Sequence, residues 1–189
     1  NEYFEKLLIA LDYPDMGWGW LRLVRSDQIA SRSQTLDLLN IGYIIASPRT
    51  PMPQTGLELV YSSDLDVWKR KSVWPRAFFV NKVTEIRKAE EMLSMFKTNS
   101  GKPFAAIQNS NNISVIQIKN DSNYSFVPAS NYLLTHNETK FSINAPGPGL
   151  IVLNETWYQD DFVARLNGKR VQYIRVNEAF KGIWVNEAG

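Results

Sequence analysis

The 189-residue chain contains no cysteine and a single histidine, His136. Without thiols there are no disulfide frameworks, no thiolate nucleophile and no Cys-ligated zinc, so metal or covalent chemistry would fall to oxygen ligands and one imidazole. Charge of one sign is also missing. Against 21 Lys and Arg stand 19 Asp and Glu, a formal net charge of +2, and a field that weak does not steer nucleic acid over long range. No stretch reaches the ~18 consecutive apolar residues of a membrane helix. The best runs, around Ile41 to Ala46 and Leu150 to Leu153, are strand-sized.

What is present describes a globular chain, 44% hydrophobic and long enough to bury roughly 70% of its unfolded surface. Glu2 to Leu11 places Tyr3, Leu7 and Leu11 on one helical face beside Phe4 and Leu8, and Pro14 ends it. Gly17 and Gly19 alternate with Trp18 and Trp20 in an aromatic loop. Ser33 to Leu39 reads as a short helix. Ile41 to Ala46 then reads as a buried strand, and Ser62 to Asp66 as a hairpin connection between Leu57 to Tyr61 and Val67 to Lys71. Apolar Ile86, Ala89, Leu93 and Phe96 predict one inserted helix over Thr84 to Phe96, with Thr84 as N-cap and Asn99 and Gly101 beyond its end.

From Phe104 to Val185 the pattern is strand-like throughout, with segments such as Ile113 to Lys119, Lys140 to Ile143, Leu150 to Asn154 and Val171 to Val176 separated by Asn, Asp, Ser, Gly and Pro. Such short, regular spacing predicts antiparallel pairing rather than β-α-β units. Asn167-Gly168 is a hairpin signal of the type I′ kind, which needs positive φ at both central residues. The expected class is mainly β, an α+β antiparallel β-sandwich of jelly-roll or Ig-like kind with an N-terminal helical segment and one inserted helix. A single domain over 1–189 is expected, with the period change suggesting a subdivision into 1–103 and 104–189. The chain begins at Asn1 with no charged n-region and apolar h-region of a signal peptide, so either a processed product or a piece cut from a longer protein is expected, the second being favoured.

Several patterns can carry chemistry. Asp64-Leu-Asp66 matches the Asp-x-Asp by which nucleotide-sugar transferases hold a divalent cation, but it lies in a hairpin connection, where Asp is favoured for local hydrogen bonds. Trp157 and Tyr158 beside Asp160 and Asp161, with Asn154 and Glu155 nearby, combine aromatic faces and acceptors as sugar recognition requires. The competing reading is a solvated turn with its aromatics packed inward. Trp68-Lys-Arg-Lys71, with Trp74 and Arg76, interleaves bases and aromatics as single-strand binders do, although a solvated or edge-strand face explains it equally. His136 lacks a Gly-x-Ser-x-Gly partner and sits in a hairpin turn, Thr135 to Glu138. Asn112, Asn120, Asn123, Asn137 and Asn154 each begin an Asn-x-Ser/Thr sequon, which favours surface loops there.

The C-terminal run Gly149-Leu-Ile-Val-Leu-Asn-Glu155, Trp157-Tyr158, Phe162-Val-Ala164, Asn167-Gly-Lys169, Val176-Asn177 and Phe180-Lys-Gly-Ile183 resembles the C-terminal extracytoplasmic region of the YfhO family of bacterial polytopic membrane proteins. Leu38-Leu-Asn-Ile-Gly-Tyr-Ile-Ile45 looks like that family's strand after a short helix, and Trp74-Pro-Arg-Ala-Phe-Phe79 like its Pro-Arg-Ala strand opening. The family's Tyr-Pro-Gly-Trp turn is replaced by Tyr158-Gln-Asp-Asp-Phe162, and its Asp-Gly by Asn167-Gly168.

The resemblance implies a GT-C type glycosyltransferase parent that uses lipid-linked sugar, with its reactive carboxylates among membrane helices outside this chain. The chain is then an extracytoplasmic domain without a catalytic centre, cofactor or metal. Its expected partners are its own transmembrane helices, a nearby membrane surface and a saccharide or cell-envelope polymer, with no nucleic acid. The candidate saccharide residues are Trp157, Tyr158, Asp160, Asp161, Trp18 and Trp20. The alternatives are an independent metal-dependent glycosyltransferase or hydrolase using Asp64 and Asp66 or Asp160 and Asp161, and a purely structural scaffold.

Overall fold

The computed structural model describes residues 2–10, 25–108 and 125–189. Trp18, Trp20, the sequons at Asn112, Asn120 and Asn123, and the expected strand Ile113 to Lys119 lie outside the described residues. The chain divides into two compact units, Tyr13–Trp74 and the combination of Asn1–Asp12 with Pro75–Gly189. The change of hydrophobic period at residue 103 falls inside the second of these. The protein is mainly β, an α+β, β-sandwich-like fold with several antiparallel sheets.

In the unit Tyr13–Trp74, a helix spans Ser33–Leu38 (α2; α1 is described below). Asn40 takes a left-handed conformation at φ 56°, which lets the Asn40 N–H bond the Asp37 carbonyl and the Ile41 N–H reach back to Leu36. This Schellman arrangement turns the chain out of the helix and into strand. Three strands follow, Tyr43–Ala46 (β1), Leu57–Ser62 (β2) and Asp66–Arg70 (β3), paired antiparallel in the order β1-β3-β2. Their inner face packs Ile44, Leu57 and Trp68 against Ile29, Leu36, Ile41 and Met52. The strand expected to be buried over Ile41 to Ala46 is instead a four-residue edge strand, with Tyr43 58% and Ile45 66% exposed. A strand buried on both faces needs cover on both, and only Ile44 of β1 joins this core.

Beneath β3, the Arg70 guanidinium donates to Asp37 Oδ1 at 2.6 Å and to the Ile41 carbonyl, the Ser33 carbonyl and Ser33 Oγ. Both charges are buried and the guanidinium's hydrogen bonds converge on α2 and the start of β1, so the pair holds helix to sheet with its desolvation compensated.

The other unit centres on a five-stranded antiparallel sheet. Its members are Ala77–Val80 (β4), Phe126–Pro128 (β7), Gly149–Thr156 (β10), Ile174–Val176 (β13) and Phe180–Val185 (β14), in the order β13-β14-β10-β4-β7. The unbroken apolar runs Ala77-Phe-Phe-Val80 and Gly149-Leu-Ile-Val152 are buried along their whole length, because β4 and β10 are central and covered on both faces. Gly149 is required: a Cβ there would overlap the Phe79 ring and the Val80 carbonyl. On one face, Phe79, Val127, Ile151 and Val185 meet Phe141, Ile143, Ala145 and Leu166. Of the covering residues, Phe141 lies on the strand Thr139–Ser142 (β9), which pairs with Ser130–Leu134 (β8), Ile143 and Ala145 follow that strand, and Leu166 lies on Ala164–Leu166 (β11), which pairs with Lys169–Val171 (β12). Asn167 and Gly168 join β11 to β12 with φ 50° and 80°, as their sequence requires.

Two expectations are corrected in this unit. Val83–Ile86 is a strand (β5), and the helix spans only Glu91–Thr98 (α3). Thr84 is therefore no N-cap; instead the Glu91 carboxylate accepts the N–H groups of Arg87 and Lys88. The β-branched residues of Val83-Thr-Glu-Ile86 found a partner in Ala105–Gln108 (β6), and tertiary pairing overrode the helical period. β5 and β6 pair in parallel across α3, a β-α-β unit that ends in β6, the first strand of the region from Phe104 onward whose spacing predicts antiparallel pairing. The N-terminal helix Glu2–Ala10 (α1) buries Leu7 and Leu8 completely, on the face expected.

Candidate functional site

A site takes shape where β10 breaks register. Leu153 pairs with Lys181, but the next matched pair is Thr156 with Phe180, so Asn154 and Glu155 bulge from the ladder. The bulge brings the Glu155 carboxylate between the sheet strands and the β8-β9 ribbon. Glu155 Oε1 accepts from Thr139 Oγ1 at 2.7 Å and from Arg76 Nη2 and Nε at 3.0 and 3.3 Å, while Oε2 faces Lys181 Nζ at 3.3 Å. The Lys181 ammonium lies 3.3 Å from the centre of the Phe162 ring, a cation–π contact.

Two cations thus share one carboxylate. Burial by itself would raise the Glu155 pKa, but the hydrogen bonds from Thr139 and Arg76 and the charge of Lys181 outweigh it and hold the group below its ordinary value. Burial lowers the Lys181 pKa, with Arg76 adding to the effect and Glu155 opposing it. The rim is open. Arg76 is 41% exposed in its side chain, and Phe162 is 44% exposed.

The residues expected to form the sugar site separate. Trp157 is half-buried and turned inward, its ring edge-on to Tyr3 of α1 at 5.2 Å and 86°, its backbone N–H donating to the Ala179 carbonyl. It packs the helix rather than facing solvent. Tyr158 keeps an exposed ring, and its carbonyl accepts the Tyr173 hydroxyl. Asp160, at φ 61°, and Asp161 are exposed on the following turn. They do not converge with Glu155 in any ion pair or hydrogen bond among the described residues, and no group of three acidic or histidine side chains positioned for a metal occurs there either.

Asp64 and Asp66 do not act together. Asp64 is exposed, whereas Asp66 is buried and accepts the Ser62 hydroxyl at 2.6 Å to close the β2-β3 hairpin. The base–aromatic run is likewise divided: the two-residue period of β3 sends Trp68 into the core and Arg70 to Asp37, Trp74 is buried, Lys69 and Lys71 face water, and Arg76 pairs with Glu155. His136 is exposed in the β8-β9 turn, where the Thr135 N–H bonds the Glu138 carbonyl.

Thr139, Lys181 and Phe162 belong to none of the sequence-predicted sites, and Arg76 belongs to one only as part of the base–aromatic run. The one available signal was Lys181 itself, a charge inside the strand Phe180-Lys-Gly-Ile183 and hence in need of a counter-ion.

No protein-family model matches this chain, and no curated protein or solved structure is similar to it.

Proposed function

We propose that this chain is a non-catalytic extracytoplasmic domain of a larger membrane protein resembling the YfhO family, and that it holds a saccharide or cell-envelope polymer acceptor near the membrane. The family resemblance supports the setting. The observation that carries the binding role is the exposed ring of Phe162 against Lys181 of the Arg76–Glu155–Lys181 cluster, with Tyr158 exposing its ring four residues earlier in the chain. Aromatic faces there can stack on the C–H face of a sugar ring, and the partly exposed guanidinium of Arg76 can donate to hydroxyls or acidic substituents.

This shifts the expected site by a few residues. Tyr158 stays, Phe162 and Arg76 join it, and Trp157 becomes a packing residue for α1. Calorimetric titration of the full chain with oligosaccharide fragments of envelope polymers tests the reading. Phe162→Ala and Tyr158→Ala should each weaken binding about tenfold, while Trp157→Ala should lower thermal stability more than affinity. Retention of full affinity by both Phe162→Ala and Tyr158→Ala, or no binding at millimolar ligand, would overturn it.

A further inference from the structure

The guanidinium of Arg76 is held by one edge and open at another. Nε and Nη2 both donate to a single oxygen, Glu155 Oε1, at 3.3 and 3.0 Å. That is the side-on edge of the fork. The end-on edge, made by Nη1 and the second N–H of Nη2, has no hydrogen-bond partner among the described residues, and the side chain is 41% exposed. A planar guanidinium can use both edges at once.

The backbone at Arg76 is fixed independently of the side chain. Its carbonyl accepts the Asn154 N–H at 2.7 Å, from the bulge of β10. The Tyr132 hydroxyl then accepts from the Ala77 N–H at 3.0 Å and donates to the Ala77 carbonyl at 3.1 Å. The open edge is thus presented with little conformational freedom left to lose on binding.

Charge favours an anion there. Arg76 and Lys181 set two positive charges against the single negative charge of Glu155, while Lys140, next to Thr139, is paired with Glu138 at 3.0 Å. Glu155 would repel an approaching anion, but both of its oxygens are already engaged, by Arg76 and Thr139 on one side and Lys181 on the other. The surroundings are apolar. Phe162 exposes its ring beside Lys181, and Leu134, directly opposite Thr139 across the β8-β9 ribbon and so on the same face, is 52% exposed.

An apolar ring surface close to a cation suits a ligand that joins a C–H face to an anion through few bonds. A hexuronate does so: its carboxylate is attached directly to the sugar ring and is planar, like the fork it would meet. Resting on the saccharide reading above, we propose that the end-on edge of Arg76 is a carboxylate subsite, and that the saccharide held at this cluster is an acidic one built from hexuronate.

Calorimetric titration of the full chain with tetramers of galacturonate, glucuronate and mannuronate, each beside its methyl ester, tests the subsite. At least one free acid should bind about tenfold tighter than its ester, which keeps the ring and loses the charge-assisted pair. The advantage should shrink as salt is raised from about 0.05 to about 0.5 M. Arg76→Lys, which keeps a positive charge beside Glu155 but has no end-on edge, should remove most of the advantage and leave affinity for the ester unchanged. Equal binding of acid and ester by the wild-type chain, or an advantage that survives Arg76→Lys, overturns the subsite and leaves the saccharide reading standing. If neither acids nor esters bind while neutral envelope fragments do, the subsite alone falls; if nothing binds, the saccharide reading falls with it.

Discussion

Individual residues show how the same chemistry reads differently once neighbours are known. In the sequence Glu155 is only an acceptor near Trp157 and Tyr158, yet in the structure it is the acceptor for three side chains. Because its pKa is held below 4.5 in the folded state, the stability it contributes is present above that value and lost as pH falls through the folded pKa. Glu155→Gln should lower the unfolding free energy by about 2 kcal/mol at pH 7, since it removes charge-assisted hydrogen bonds and leaves Arg76 and Lys181 side by side. The gap between variant and wild type should narrow in urea titrations as the solution is acidified below pH 4.5. Asp66 makes the converse point. A pattern suited to holding a cation is used to accept a serine hydroxyl inside its own hairpin.

Among the elements, those whose sequence states both ends were legible. Asn167-Gly168 specified its turn because positive φ at two successive positions is a demand few residue pairs meet. Gly168→Ala, at φ 80°, should destabilise the β11-β12 hairpin by about 1–2 kcal/mol, visible as a lower thermal midpoint, with the five-stranded sheet intact by circular dichroism. The end of α3 was equally plain: Asn99, Ser100 and Gly101 supply the exit, with the Gly101 N–H reaching back to Phe96. Its beginning was not. Val83 to Ile86 carries an apolar spacing compatible with helix, and only the parallel partner Ala105–Gln108, some twenty residues on, decided for strand. Burial of β1 was misjudged for a related reason, since a short apolar run does not say how many of its faces will be covered.

At the scale of the whole molecule, α1 belongs with Pro75–Gly189 although Tyr13–Trp74 lies between them in sequence. The fragment 75–189 alone should therefore be less stable, because Trp157 and the surface that receives Leu7 and Leu8 lose their cover. Burying two leucines contributes several kcal/mol on the usual scale of ~2 kcal/mol each. A peptide of residues 1–12 added in trans should raise the fragment's thermal midpoint, whereas the same peptide carrying Leu7→Ala and Leu8→Ala should not. The sequence by itself determined the mainly β class, most strand positions among the described residues, the hairpin turns and the exit of α3, because these follow from local φ preference and from the period with which apolar residues recur. Only the tertiary structure decided that Trp157 packs inward and that Arg76, Glu155 and Lys181 meet, because each depends on strand order, a register break or contact between segments distant in the chain.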